Sequence, residues 1–324
     1  MTDPRRYAAW QMQITPSNLR ARADILSQIR GFFAQRQVLE VDVPVLSQRG
    51  VTDPYLDNFV TRLTVDDKVT PLYLQTSPEY AMKRMLASGS GCIYSLAKAF
   101  RHESSGHQHN PEFTMLEWYR IGFDDWDLMR EVASLLCHIL PVNAVDYVSY
   151  HDVFVKYAGI DIDTVSGAEL RACVPIDTHY DLTHSSDEHV LQLIFNVLIE
   201  PQIGLHQPCF IYDFPAKQAA LAKIKQDNPD YAHRFEVYFK GIELANGYWE
   251  LTDSIEQARR FAQDNLVRTE QGYAPVQADE ALLAALSHGL PECAGVALGV
   301  DRLVMLALGL SDIAHALPFS TDNA

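Results

Sequence analysis

No two of the chain's five cysteines form a CxxC pair: Cys92, Cys137, Cys173, Cys209 and Cys293 are odd in number and scattered through 324 residues. Neither a thiolate zinc site nor a disulfide framework is indicated, and a reducing cytoplasm fits such usage. Basic charge is also scarce. Lys and Arg total 26 against 42 Asp and Glu, a formal net charge of -16, and so negative a surface repels polyphosphate backbones unless basic residues gather locally. That counts against a nucleic-acid-binding module. Long apolar runs are missing as well. The start, MTDPRRYAAWQMQ, has no apolar core of signal-peptide length, and the most apolar segment, GVALGVDRLVMLALGL, is broken by Asp301 and Arg302, so the chain is expected to be soluble, with no membrane segment. Neither a GxxxxGK phosphate loop nor a GxGxxG fingerprint after a strand occurs, which disfavours P-loop and Rossmann nucleotide binding. With no internal repeat, low-complexity tract or flexible linker, a single α+β domain over 1–324 is the simplest architecture. At 48% hydrophobic residues, it can bury a sizeable core.

Helical and strand periodicities alternate along the chain. Ser17 or Asn18 can cap a helix on which Leu19, Ala23, Leu26, Ile29 or Arg30, and Phe33 recur, ending near Gln37. In VLEVDVPVLS, Val41, Val43 and Val45 alternate with Glu40, Asp42 and Pro44, and the proline demands an edge strand or an interface. PLYLQT and CIYSLAKAF read as strands. From about 128 to 205 the pattern is helical and includes DEHVLQLIFNVLIE, which ends at Pro201. CFIYDFP and RFEVYFKGIELANGYWELTD return to strand patterning, and Asp253 with Glu256 predicts a capping-box start for a helix through Arg268. A short helix from Glu280 to His288, the strand AGVALGV and the helix DRLVMLALG complete the chain.

Three stretches carry chemistry. FRHESSGHQHNPEFTMLEWY, residues 100–119, reads as a hairpin. Arg101 and Glu103 share one face of its first strand and Phe113, Met115, Glu117 and Tyr119 one face of the second, with Ser104 to Asn110 as the loop. It is a salt-bridged surface hairpin, a metal site built from His102, His107, His109 and Glu103, or a clamp in which Arg101 binds a carboxylate or phosphate bidentately. The second stretch, residues 235–251, places Glu236, Glu243, Asn246 and Glu250 in an apolar strand run. Such a conflict points to a polar cleft or a hard cation held by oxygen ligands. Glu236 and Glu243 are seven apart, so a turn or bulge near Gly241 must intervene if they share a ligand. Asn246-Gly247 otherwise reads as a hairpin turn, and the glutamates as a solvated face. In the third, GVALGVDRL, small residues allow close backbone approach, and Arg302 at a helix start can project toward a phosphate or a base.

Together these stretches resemble the three signature motifs of class II aminoacyl-tRNA synthetases, in their lysyl branch. The helix ending in VDVPVLS, with Pro44, resembles motif 1, the dimer-interface element. FRHE followed by HNPEFTMLEWY resembles motif 2, and GVALGVDRLVM motif 3. TSPEY (76–80) and RFEVYFKGIELANGYWELTD also match lysyl-type segments. The resemblance implies an antiparallel β-sheet flanked by helices, with 128–205 as a variable helical region. Only sixteen residues precede the first predicted helix, which leaves no room for an anticodon-binding domain. A free-standing lysyl-type catalytic domain is similar to the ligases that activate (R)-β-lysine with ATP and attach it to a lysine of translation elongation factor P, without tRNA. Ala297, where lysyl-tRNA synthetases have glycine, is shared with that group, and its methyl is expected to favour an amine on the β-carbon. Other tRNA-independent amino-acid adenylating ligases and non-catalytic synthetase-like regulatory paralogues are the competing readings.

What the resemblance implies for individual residues follows motif by motif. Arg101 and Arg302 are the catalytic pair, with Arg101 bridging the substrate carboxylate and the ATP α-phosphate. Glu103 and Asn110 contact adenosine, Phe113 stacks on adenine, and Glu243, Leu244 and Gly299 border the nucleotide. Glu236 and Glu243 hold Mg²⁺. Ser77, Pro78, Glu79, Glu117, Tyr119, Asn246, Glu250 and Ala297 form the amino-acid pocket. The chain departs from the lysyl pattern at Gln108, where arginine is usual, and at Tyr248 and Trp249. Arg20, Arg22, Arg30 and Arg36 on the first helix are candidates for meeting an acidic acceptor protein.

Overall fold

A computed structural model describes residues 10–175 and 185–324; the first nine residues, and 176–184 within the expected helical region, lie outside it. Chain order begins α1 (Pro16–Gln35), β1 (Leu39–Glu40), β2 (Leu46–Ser47), β3 (Val60–Val65), β4 (Lys68–Leu74), α2 (Glu79–Ala87), β5 (Ile93–Phe100) and β6 (Glu112–Ile121). It continues through α3 (Asp125–Ile139), β7 (Asp146–Ser149), α4 (Tyr150–Val153), α5 (Gly167–Ala172), α6 (Asp187–Ile194), β8 (Cys209–Pro215), β9 (Tyr231–Phe239) and β10 (Ile242–Trp249). Last come α7 (Ser254–Glu270), α8 (Glu280–Gly289), β11 (Cys293–Gly299) and α9 (Val300–Ala307). These elements fall into two compact units, one made of the chain up to Gly122 with Leu251–Ala324, the other of Phe123–Glu250.

In the first unit, β5 pairs antiparallel with β6, β6 antiparallel with β11, and the short β1 parallel with β5. Alternation along β6 decides what each face does. Tyr94 and Trp118 are paired across β5 and β6 and meet Phe33 of α1, with ring centroids 4.4 Å and 5.3 Å away. Burying a ring such as Phe33 stabilises by roughly 1.5–3 kcal/mol. The helix starts earlier than its composition predicts: Thr15 is the cap, accepting from the Asn18 amide, and Pro16 takes the first turn, where no amide proton is needed. Its buried stripe is also rotated, to Arg22, Ile25, Ile29, Phe32 and Phe33. Arg22 can lie inward because it pairs with buried Asp301 at 2.6 Å. Around Pro44 only the flanking Leu39–Glu40 and Leu46–Ser47 are strand, although Val43 is buried and Asp42 and Pro44 are exposed as the alternation predicts.

In the second unit, β7 runs parallel to β8, while β8 with β9 and β9 with β10 are antiparallel. A strand therefore interrupts the stretch whose pattern reads as helical, because β7 is too short to show a period. Its aromatic core includes Tyr150, Phe154, Phe195, Phe214 and Tyr238. The helix of α6 continues through a wider turn at Phe195–Ile199 and stops at Pro201. At α7, Asp253 caps the Ile255 and Glu256 amides.

Candidate functional site

The second face of β6 gathers the first group of expected site residues. Met115 lies between Ala97 on β5 and Gly299 on β11, and Glu117 between Ser95 and Ala297. Residues directly opposite in an antiparallel pair share a face, so Glu117 is flanked across the ladder by a hydroxymethyl and a methyl. Its carboxylate, 2% exposed, accepts the Tyr119 hydroxyl at 2.7 Å and the Ser77 hydroxyl at 2.5 Å. Ser77 also receives the Glu79 amide at 3.0 Å, with Pro78 between them at the cap position of α2. Glu79 is not a bare carboxylate: Lys83, one helical turn on and 1% exposed, reaches its Oε1 at 2.7 Å. In the sequence, only the i,i+4 spacing from Glu79 marks Lys83 as its partner.

Arg101 and Glu103 do not share a strand face as the alternation predicts. β5 stops at Phe100, and the Glu103 amide folds back onto the Arg101 carbonyl at 2.8 Å. The Arg101 guanidinium lies 5.3 Å from the centroid of the Phe113 ring. Its Nε is shielded from solvent and has no hydrogen-bond acceptor among the described residues. An unmet buried donor costs about 1–3 kcal/mol, which an arriving anion would recover.

The loop between β5 and β6 turns at Gly106–His109, whose backbones bond reciprocally. The histidines disperse instead of converging on a metal. His102 is edge-on to Phe59, with ring centroids 5.1 Å apart, His107 Nδ1 meets Asp312 at 2.9 Å, and His109 Nε2 lies 2.7 Å from Arg302 Nη2. Burial first, then the positive charges of Arg302 and Arg101, hold His109 below the ordinary imidazole range, with Glu103 pulling the other way. A neutral ring suits Nε2 to accept from Arg302, whose Nε also donates to the Gln108 carbonyl at 3.1 Å. Gln108 thus faces Arg302 through its backbone. Asn110 spends its side chain on the fold, accepting from the Thr321 amide at 2.9 Å and donating to the Glu112 carbonyl. Gly299 caps α9, whose Asp301 receives the Thr114 amide at 2.7 Å.

The second unit brings together the other group. The β9–β10 turn is at Lys240–Gly241, both at positive φ (54° and 68°), as a two-residue hairpin requires. Asn246-Gly247 is not a turn but lies inside β10. Gly247 is needed because a Cβ there would collide with the Phe235 ring opposite. Register places Glu243 opposite Tyr238 and Asn246 opposite Glu236, with a bulge between Glu243 and Ala245 in which Leu244 is the extra residue. Without that bulge Glu243 and Asn246, three apart, would face opposite ways. With it, Arg234, Glu236, Tyr238, Glu243 and Asn246 share one face. Glu236, 7% exposed, accepts from Arg234 and from the Tyr238 hydroxyl, each at 2.5 Å. Burial raises its carboxyl above the usual range, Arg234 opposes this, and the nearby Glu243 charge adds to it. Asn246 Oδ1 is a shielded acceptor with no donor among the described residues, and Glu250 is 1% exposed, so neither Glu236 nor Glu250 lies on a solvated face, while Glu243 is half-buried. Elsewhere in this unit His151, Asp161 and Asp163 have donor atoms within 4.8 Å of one another, a surface cluster in which His151 and Asp161 bond each other.

Of the four arginines expected to form a basic face on α1, three are committed. Arg22 is buried against Asp301, Arg30 pairs with Glu40, and Arg36 lies 3.4 Å from the Phe32 ring centroid. Among the described residues no helix is long and apolar enough to cross a membrane.

The motifs, their strands and the faces they share define the catalytic domain of a class II synthetase: residues 4–323 match the family of class II tRNA synthetases (D, K and N), and the chain belongs to it. Its fold is α+β, dominated by antiparallel strands with helices flanking them. Among curated proteins, the chain is 50% identical over 325 residues to the elongation factor P--(R)-β-lysine ligase of Photorhabdus laumondii, covering 98% of this chain and 99% of that one. It is 49% identical over 322 residues to the protein of that name from Yersinia enterocolitica (98% and 99%). The Vibrio atlanticus protein of the same name is 48% identical over 322 residues (97% and 99%).

Proposed function

We propose that this chain is an ATP-dependent, AMP-forming ligase that activates (R)-β-lysine and transfers it to a lysine of translation elongation factor P. Near-full-length similarity to ligases of that name supports the reading. The single structural observation that carries it is Arg101, whose shielded Nε is an unmet donor beside an aromatic ring. In the first step a β-lysine carboxylate oxygen attacks the α-phosphorus of ATP, the bond to the pyrophosphate oxygen breaks, and pyrophosphate leaves. Arg101 binds both anions and aligns them; Phe113 stacks on adenine, Arg302 meets the nucleotide, and Glu103, Leu244 and Gly299 border it. In the second step the deprotonated ε-amine of the acceptor attacks the adenylate carbonyl, an amide forms, and AMP departs.

Glu117, Tyr119, Ser77, Pro78, Glu79 and Ala297 in the first unit, and Asn246 and Glu250 in the second, are the amino-acid-binding residues in this reading. The unmet Asn246 acceptor suits an ammonium donor, and Ala297 beside Glu117 sets the floor that favours the β-amine. Asn110 belongs to the nucleotide site through the loop that it anchors. Glu236 and Glu243 fit a divalent cation: two carboxylates on one strand face, one raised by burial and by the other's charge. Bound there, Mg²⁺ would offset charge on the leaving pyrophosphate. The reading includes a catalytic domain of the class II type, a cytoplasmic setting, a protein rather than a tRNA acceptor, and a homodimer through the segment around Pro44, where Leu39 and Leu46 are exposed.

Mass spectrometry of elongation factor P incubated with the protein, ATP and (R)-β-lysine tests the reading. The expected result is a β-lysyl mass increase on one lysine; none would defeat the assignment. Pyrophosphate exchange with β-lysine, α-lysine, aspartate and asparagine then separates another adenylating ligase from a protein without catalysis.

A further inference from the structure

The chain's last residues hold the loop between β5 and β6 at three places. The Ile313 amide donates to the His107 carbonyl at 2.9 Å, and the Asp312 carboxylate accepts a hydrogen bond from His107 Nδ1 at 2.9 Å. The Thr321 amide donates to Asn110 Oδ1 at 2.9 Å, and the Ser105 hydroxyl to Asp322 at 3.2 Å. These bonds differ in kind. Asp312 is nearly buried, its side chain 9% exposed, and its other oxygen caps the Ala314 amide at 2.9 Å, whereas His107 is 63% exposed. A rigid, capped carboxylate therefore grips a surface imidazole that has no packing of its own to hold it.

His107 and Gln108 form the tip of the Gly106–His109 turn, and this turn supplies two acceptors that meet Arg302, the Gln108 carbonyl and His109 Nε2. We propose that Asp312 is a positioning residue for the nucleotide step: through His107 it fixes the turn that orients the Arg302 guanidinium. The inference rests on the nucleotide role given to Arg302 above, and it assigns a task to His107 that no metal or substrate contact accounts for. A charge-assisted bond with one exposed partner is worth about tenfold in affinity.

Calorimetric titration with ATP in the absence of amino acid is the primary measurement, because it does not depend on which amino acid is activated. His107→Ala is expected to weaken ATP binding about tenfold and to leave the thermal midpoint unchanged. His107→Asn, whose Nδ2 can replace the Nδ1 donor, should restore it. His107→Ala combined with Asp312→Asn, which keeps the Ala314 cap, should be no worse than His107→Ala alone. In steady state the KM for ATP should rise while kcat and the KM for β-lysine stay within twofold of the parent. ATP affinity unchanged in His107→Ala, no rescue by asparagine, or parallel rises in both KM values would overturn the proposal. If β-lysine supports no exchange in the parent, the functional reading fails while the ATP titrations still decide this one.

Discussion

Glu117 in the first unit and Glu236 in the second are both buried strand glutamates that accept a hydrogen bond from the tyrosine two residues further on, Tyr119 and Tyr238. A spacing of two puts phenol and carboxylate on one face of the strand, so the shared motif is a direct product of β geometry. The second donor separates them. Glu117 receives the neutral Ser77 hydroxyl, Glu236 the Arg234 guanidinium. Hydroxyls solvate a carboxylate without cancelling its charge, and small neighbours, Ser95 and Ala297, flank Glu117. Glu236 is partly neutralised but also feels Glu243, a setting that a cation relieves. In the proposed function one motif thus serves as an amine acceptor in one unit and a metal ligand in the other, according to its other partner.

The comparison breaks most visibly at Glu117. Glu117→Gln keeps the size and one acceptor but loses the charge, and leaving a buried ammonium unpaired costs about 2–5 kcal/mol. Exchange kinetics should show kcat/KM for β-lysine falling by roughly 30- to 4,000-fold with the KM for ATP little changed. Tyr119→Phe, which removes one neutral bond, should cost at most about tenfold. Equal losses in the two variants would make Glu117 a packing residue. Glu236→Gln sharpens the other side: the magnesium needed for half-maximal exchange should rise about 10–100-fold, without a matching change in the KM for β-lysine. A ligating carboxylate must be deprotonated, and burial lifts Glu236 above its ordinary 4.5, so the parent's magnesium affinity should fall on acidification earlier than for an exposed carboxylate. In Glu236→Gln that extra acid sensitivity should vanish; its persistence would remove Glu236 from the ion.

How much of this was legible in the sequence depends on how local its cause is. The alternation in EFTMLEWYRI assigns Glu117 and Tyr119 to one face and Trp118 to the other, and the structure has them so. The seven-residue gap between Glu236 and Glu243 calls for a turn or bulge near Gly241, and both occur. Asn246-Gly247 misleads because its glycine answers to the Phe235 ring across the ladder rather than to a turn. The stripe on α1 misleads because Asp301, 279 residues away in sequence, admits Arg22 to the interior. Arg101 and Glu103 do not follow strand geometry because the backbone turns after Phe100. The hold of Asp312 on His107 leaves no pattern at all, since two residues joined only by tertiary structure share no period.

The smallest effect belongs to a doubly paired glutamate near the surface. Glu256 on α7 accepts from Arg259 at 2.7 Å and from Arg260 at 2.9 Å, and the Arg259 bond foremost draws its carboxyl from 4.5 down to about 2. A folded-state value below the unfolded one means stability that is fully present above about pH 4.5 and is lost as the pH falls toward 2. Its side chain is 28% exposed, Arg259's 68% and Arg260's 14%, so water and salt screen the Arg259 pair most, and pairs of this i,i+3 and i,i+4 kind are worth about 0.3–0.5 kcal/mol. Urea unfolding of Glu256→Gln should therefore show a deficit of that size at pH 7, shrinking as the pH falls below 4.5. A deficit above about 2 kcal/mol, beyond what exposed pairs supply, would mean that the number of arginines and not burial governs what a glutamate contributes here, and the contrast between Glu117 and Glu236 would then need another cause.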